Sequence, residues 1–325
     1  MNLTHAQLTA LAESSGHQPE PLERVLRLID LLNALRGHPF LGPRLALKGG
    51  TALNLFIFDL PRLSVDIDLN YIGAADRETM LAERPLLEAA LLAVFKRQGL
   101  AVKRAPNDDH AGYKCRLGYS RSAGDTGNLE LDLNFMYRVP LWPPMLSSSR
   151  PVAGRNATSL VLDVHELAAG KLAAAFGRRK SRDLFDFDGL FRHVLFDMER
   201  LRLAFVAYGG MSTAVDWRTL TPEHLDTTEG DVMDQLLPML RRDASPARDA
   251  LSVWTRQLVE RCRERARELF PLQPNELEFL AMLNEHGELQ PELLTEDPAM
   301  QARIAAHPAL LWKRHKAREH TASRF

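Results

Sequence analysis

The chain has 325 residues, 45% hydrophobic and 26% charged, and 41 Lys/Arg against 42 Asp/Glu leave a formal net charge of −1. That balance removes global charge as an argument for nucleic-acid binding and leaves only local clusters to read. The two cysteines, Cys115 and Cys262, are far apart and lack CxxC or Cys/His spacing, which fits a reducing compartment and argues against a disulfide framework or a zinc site. No basic-then-apolar leader and no membrane-length apolar run is present, so a cytoplasmic protein with no membrane partner is expected.

PLERVLRLIDLLNALRG (21–37) spaces its apolar residues for a helix and stops at a glycine. RLALKGG (44–50) predicts a short strand running into a glycine-rich connection, and TALNLFIF (51–58) a short buried helix. SVDIDLNYI (64–72) alternates and predicts a strand. ETMLAERPLLEAALLAVFKRQG (78–99) predicts an amphipathic helix that Pro85 either kinks or starts. AVKRA, YKCRLGYS and LELDLNFMY (129–137) are strand-like, and PNDDHAG and RSAGDTGN between them carry turn chemistry. RVPLWPPMLSSSRPVAG (138–154) reads as a connecting loop, after which helical spacing dominates: DVHELAAGKLAAAFGRR, SRDLFDFDGLFRHV, DMERLRLAFVAYGG, GDVMDQLLPMLRR, SPARDALSVWTRQLVERCRERARELF, PNELEFLAMLNEHG and a basic tail. The order predicts an α+β protein, with a mixed α/β domain over 1–154 and an all-helical domain over 155–325.

The chemistry concentrates in LKGGTALNLFIFDLPRLSVDIDLN (47–70). In an extended strand, Arg62, Ser64, Asp66 and Asp68 share one face, opposite Val65, Ile67 and Leu69. Two carboxylates at that spacing suit a divalent cation, because Mg²⁺ takes one or two carboxylates plus phosphate oxygens and water. An edge strand with its charges in water explains a lone DxD equally well. Gly49, Gly50 and Thr51 lie between strand and helix, where glycine lets backbone approach a phosphate and the threonine hydroxyl adds a donor; a capped tight turn is the plainer account. Lys48 precedes them as a strand-end charge. In LELDLNF (129–135), Glu130, Asp132 and Asn134 alternate with leucines, so a second strand offers a third acid. Asp132 and Glu130 compete for that place, and spacing does not separate them.

GGT, then RxSxDxD, then a later acid resembles the nucleotidyltransferase fold of the DNA polymerase β type. More narrowly, KGGTALNL…RLSVDIDL is similar to the AbiEii/AbiGii toxins of type IV toxin–antitoxin and abortive-infection systems, which include the MenT toxins. That family carries ELxAxK followed by RxxxRDxxD, matched here at Glu166, Leu167, Ala169, Lys171, Arg178 or Arg179, Arg182, Asp183 and Asp186. The resemblance implies a nucleotidyltransferase, with Lys171 and Asp183 functional beside Asp66, Asp68 and Asp132, and Ser64 among the nucleotide-binding residues. It implies NTP as substrate, Mg²⁺ or Mn²⁺ as cofactor, a tRNA 3′ end as acceptor and a cognate antitoxin as partner. On a helix, Lys171 and Arg178 fall near one face and suit a triphosphate; Arg182 and Asp186 suit a surface pair. Residues 150–183 hold seven Lys/Arg against three Asp/Glu, and KRHKAR (313–318) is basic, as an RNA contact or as solvated helix. Transfer to a protein or small molecule, and an NTP-binding module without chemistry, are the rival readings.

Overall fold

The computed structural model describes residues 3–104, 111–213 and 215–322; most of the expected PNDDHAG turn lies outside them. The chain divides into two compact units. One comprises Met1–Arg138, Pro144–Leu162 and Met233–Ala247; the other comprises Val139–Pro143, Asp163–Val232 and Arg248–Phe325. The first unit thus runs past the expected boundary at 154 and takes back a later segment.

The first unit holds a seven-stranded mixed sheet. Its strands are β1 (Leu45–Lys48), β2 (Asp66–Tyr71), β3 (Ala101–Arg104), β4 (Gly112–Ser120), β5 (Thr126–Asn134), β6 (Met145–Ser148) and β7 (Thr158–Val161), in the order β3-β4-β5-β2-β1-β7-β6. The pairs β2–β5 and β1–β7 are parallel, and the others antiparallel. Helices α1 (His5–Ser15) and α2 (Pro19–Gly37) precede the sheet, the first closed by a capping box between Thr4 and Gln7. Leu22, Val25, Leu26 and Ile29 of α2 are buried at helical spacing, and α2 packs on β5 and β7. Helix α3 (Gly49–Ala52) continues as a π-turn over Leu53–Ile57, so the helical segment starts at Gly49 rather than at Thr51. Helix α4 (Arg77–Arg97) begins at Asp76, whose carboxylate accepts the Thr79 N–H, and Pro85 sits inside it rather than at its start.

Two strands escaped the sequence. β6 falls in the segment read as a loop and β7 beyond it. In β7 the buried positions are Ser159 and Val161, so half of its inward face is polar and the apolar alternation fails. Its partner β1, register Ala46↔Leu160, is remote in sequence, and no local pattern encodes that pairing.

The second unit is helical: α5 (Val164–Arg178), α6 (Ser181–His193), α7 (Met198–Met211), a short α8 (Glu229–Asp231), α9 (Leu251–Ala266), α10 (Pro274–Ala281), α11 (Pro298–Ala306) and α12 (Pro308–Ala322). The helix expected over GDVMDQLLPMLRR breaks into α8, a π-turn and a 3-10 turn, because Pro238 has no N–H for a continuous ladder. Both cysteines are buried; burial pushes the Cys115 thiol up to about 12 and raises Cys262 as well, so neither is a ready nucleophile.

Candidate active site

The first unit brings the expected carboxylates together through strand register. Parallel pairing of β2 with β5 sets Asp66 against Glu130 and Asp68 against Asp132. The alternate positions Ile67, Leu69, Leu131 and Leu133 are buried, which fixes the four acids on the other, partly exposed face. The rows extend outward: Lys48 of β1 stands opposite Asp68, Lys114 of β4 opposite Asp132, and Arg116 opposite Glu130. Arg116 grips Glu130 through two nitrogens, at 2.8 and 3.3 Å. Lys114 Nζ stands 3.6 Å from Asp132. The two candidates for third acid therefore differ: Glu130 is held by a guanidinium fork, while Asp132 has a loose partner and lies level with Asp68.

The glycine turn is built against Asp68. Gly49 has φ of 72°, and a Cβ there would overlap Asp68 Oδ2 and stand 3.0 Å from its Cγ. Only glycine combines that backbone with that approach. Gly50 follows, and its carbonyl accepts from Asn54 Nδ2 at 2.9 Å. Thr51 is fully buried and donates its hydroxyl to the Asp66 carbonyl at 2.5 Å. A hydroxyl has one proton to donate, so this threonine ties turn to strand rather than pointing its proton at a phosphate. Arg62 and Ser64 precede β2, which begins at Asp66, so they are not part of its alternating face. Arg62 is buried, pairs as an isolated bridge with Leu240 and donates to the Leu63 carbonyl. Leu63 N–H reaches the Met239 carbonyl, and Arg241 N–H reaches that of Pro61. Arg62 thus helps fasten the returning segment Met233–Ala247. Ser64 is buried. Lys48 Nζ lies 5.3 Å from the Tyr137 ring centroid.

Among the described residues no three His, Cys, Asp or Glu side chains form a ready metal cage. The donor set nevertheless fits a hard cation: it is oxygen-only, and Mg²⁺ needs one or two carboxylates when phosphate supplies the rest.

In the second unit the family-like motif forms a buried ion cluster. The turn at Arg179, itself left-handed at φ of 53°, folds α6 back against α5. Lys171 Nζ lies 3.0 Å from Asp183 and 2.9 Å from Asp186, and all three residues are buried. Arg178 reaches Asp183 at 3.0 Å from an exposed position. Asp186 therefore serves Lys171 inside the unit, where the spacing suggested a surface pair with Arg182. Lys171 and Arg178 do converge, on Asp183.

The family model described as nucleotidyl transferase AbiEii toxin, type IV TA system, matches residues 30–322. The chain belongs to the AbiEii family. It is a nucleotidyltransferase toxin of the type IV class, and its family implies an NTP substrate, a divalent metal and an antitoxin partner. Among solved structures it is similar to MenT4, a nucleotidyltransferase toxin from Mycobacterium tuberculosis H37Rv, at 19% identity and a TM-score of 0.60. That match covers 95% of this chain and 99% of the other, and at this identity it shows a shared fold. No curated protein matches the sequence. No helix among the described residues is long and apolar enough to cross a membrane.

Within this AbiEii chain, Glu166 of the ELxAxK motif has a role that spacing did not disclose. It is buried, accepts the Trp142 N–H at 3.2 Å and the Tyr208 hydroxyl at 3.1 Å, and so ties residues 139–143 to α5 and α7. Burial pushes its carboxyl from 4.5 up to about 7 against these donors. The folded unit then retains a proton between pH 4.5 and about 7 that the unfolded chain has released. Its contribution is complete below 4.5 and declines as pH rises through about 7. All four tryptophans (Trp142, Trp217, Trp254 and Trp312) lie in this unit. Urea titrations followed by tryptophan fluorescence should show stability falling from pH 5 to 8 by on the order of 2 kcal/mol more in the wild type than in Glu166→Gln. Parallel pH profiles would contradict the assignment.

Proposed function

We propose that the chain transfers a nucleoside monophosphate from an NTP to a hydroxyl of RNA, with a tRNA 3′ end as the acceptor and Mg²⁺ as the cation. One observation carries this reading: the β2–β5 register sets Asp68 level with Asp132, and Gly49 packs on the Asp68 carboxylate. Asp66, Asp68 and Asp132 would hold the cation, with phosphate oxygens completing its shell, and it would supply charge stabilisation to the displacement. The acceptor oxygen bonds to the α-phosphorus, its proton passes to solvent, and the bond from that phosphorus to the β-phosphate oxygen breaks to release pyrophosphate. Backbone N–H groups at Gly49 and Gly50, the first of a helical segment and so without intrahelical acceptors, would donate to the phosphates. Thr51 positions Asp66 through its carbonyl, and Lys171 and Asp183 act as positioning residues within their own unit.

The basic stretches give RNA limited support. Arg155, Lys171, Arg178 and Lys180 are held in ion pairs with acids; in the tail Lys316 pairs with Glu319, and the exposed Arg318 donates to the Gly287 carbonyl. The family resemblance therefore carries the acceptor more than charge does. The test is incubation with each α-labelled NTP, Mg²⁺ and total cellular RNA, followed by RNase or protease. Label that survives protease and is released by RNase is the expected result. Label that survives RNase and is lost to protease would overturn RNA in favour of a protein acceptor.

A further inference from the structure

The proposed reaction gives no task to Lys114, although it stands nearest of the β4 cations to the third acid. Lys114 and Asp132 are register partners, with Nζ 3.6 Å from Oδ2 and side chains 66% and 44% exposed. One row along, Arg116 holds Glu130 at 2.8 Å with a second nitrogen engaged. A planar fork at hydrogen-bond distance is a pre-organised pair, whereas an ammonium at 3.6 Å makes a point contact that water and ions screen. Of the two acids, Asp132 is thus the one whose counter-charge leaves at low cost.

We infer that Lys114 is a placeholder cation: it neutralises Asp132 while the site is empty and competes with a divalent cation for that carboxylate. This rests on the reading that Asp66, Asp68 and Asp132 hold the cation. A bare divalent ion must displace an ammonium and then sit beside it, two positive charges within a few ångströms. An ion arriving with a triphosphate brings negative charge that offsets this repulsion. Lys114 therefore biases the strand pair against bare metal and toward the metal–nucleotide complex.

The test uses the full chain, Mn²⁺ without nucleotide, and low ionic strength, with free Mn²⁺ read by electron paramagnetic resonance. Lys114→Met should bind Mn²⁺ about fivefold more tightly than the wild type, the scale of an exposed charge pair. Lys114→Arg, which keeps the charge, should retain the wild-type affinity. The gain should shrink at about 0.5 M KCl, where charges are screened within a few ångströms. Equal or weaker Mn²⁺ binding by Lys114→Met would overturn the placeholder role and leave the metal reading standing. Absence of Mn²⁺ binding in every form, both without nucleotide and with a non-hydrolysable NTP, would overturn both.

Discussion

Asp68→Asn is expected to abolish nucleotidyl transfer, by about a thousandfold or more, while the protein melts as the wild type does. Asparagine keeps the shape of the side chain and removes its charge. Asp68 is only partly buried and shares its face with Asp66, Glu130 and Asp132, so losing one of four clustered negative charges does not unsettle the sheet. Gly49→Ala should reach the same end by displacement. Its Cβ would stand 3.0 Å from Asp68 Cγ, on a backbone at φ of 72° that side chains rarely adopt. That variant should also lose about 1–2 kcal/mol of stability to strain. Transfer assays beside thermal melts check both. Undiminished transfer by Asp68→Asn would remove the carboxylate face from the chemistry.

Lys171→Met should be among the most destabilising single changes in the second unit, at about 3–5 kcal/mol. The ammonium lies between Asp183 and Asp186, which are 3% and 0% exposed, and its removal leaves two acids facing each other out of water. Arg178→Ala removes only an exposed partner of Asp183 and should cost less than about 1 kcal/mol. The triple variant Lys171→Met, Asp183→Asn, Asp186→Asn should recover much of the loss, since no unpaired charge remains. Urea titration by tryptophan fluorescence reads this unit alone, because every tryptophan lies in it. A Lys171→Met curve that overlays the wild type would contradict the buried cluster.

Much of the candidate site's shared face was legible because β2 and β5 alternate cleanly, and period-two burial dictates which residues share a face. Spacing could not choose between Asp132 and Glu130; register sets each level with an acid of β2, and what distinguishes them is the cation beside each, which belongs to a strand whose pairing spacing does not show. Thr51 looked like a phosphate ligand because its hydroxyl's acceptor, the Asp66 carbonyl, is fifteen residues away. Arg62 looked like a strand residue because the segment it helps fasten, Met233–Ala247, lies far along the chain, between the two stretches that make up most of the helical unit. For Lys171 a helical wheel shows its face but not the acids, Asp183 and Asp186, that α6 folds against it. β6 and β7 stayed hidden because short serine-bearing strands carry little apolar pattern, and a remote partner supplies their reason to be extended.

The most direct test is a label-position experiment on the wild type and Asp68→Asn. Each NTP is supplied labelled at the α- or the γ-phosphate, with Mg²⁺ and total RNA. Nucleotidyl transfer predicts that α-label enters macromolecular product, γ-label leaves as pyrophosphate, and Asp68→Asn yields neither. Incorporation of γ-label, or equal α-label incorporation by Asp68→Asn, would contradict it.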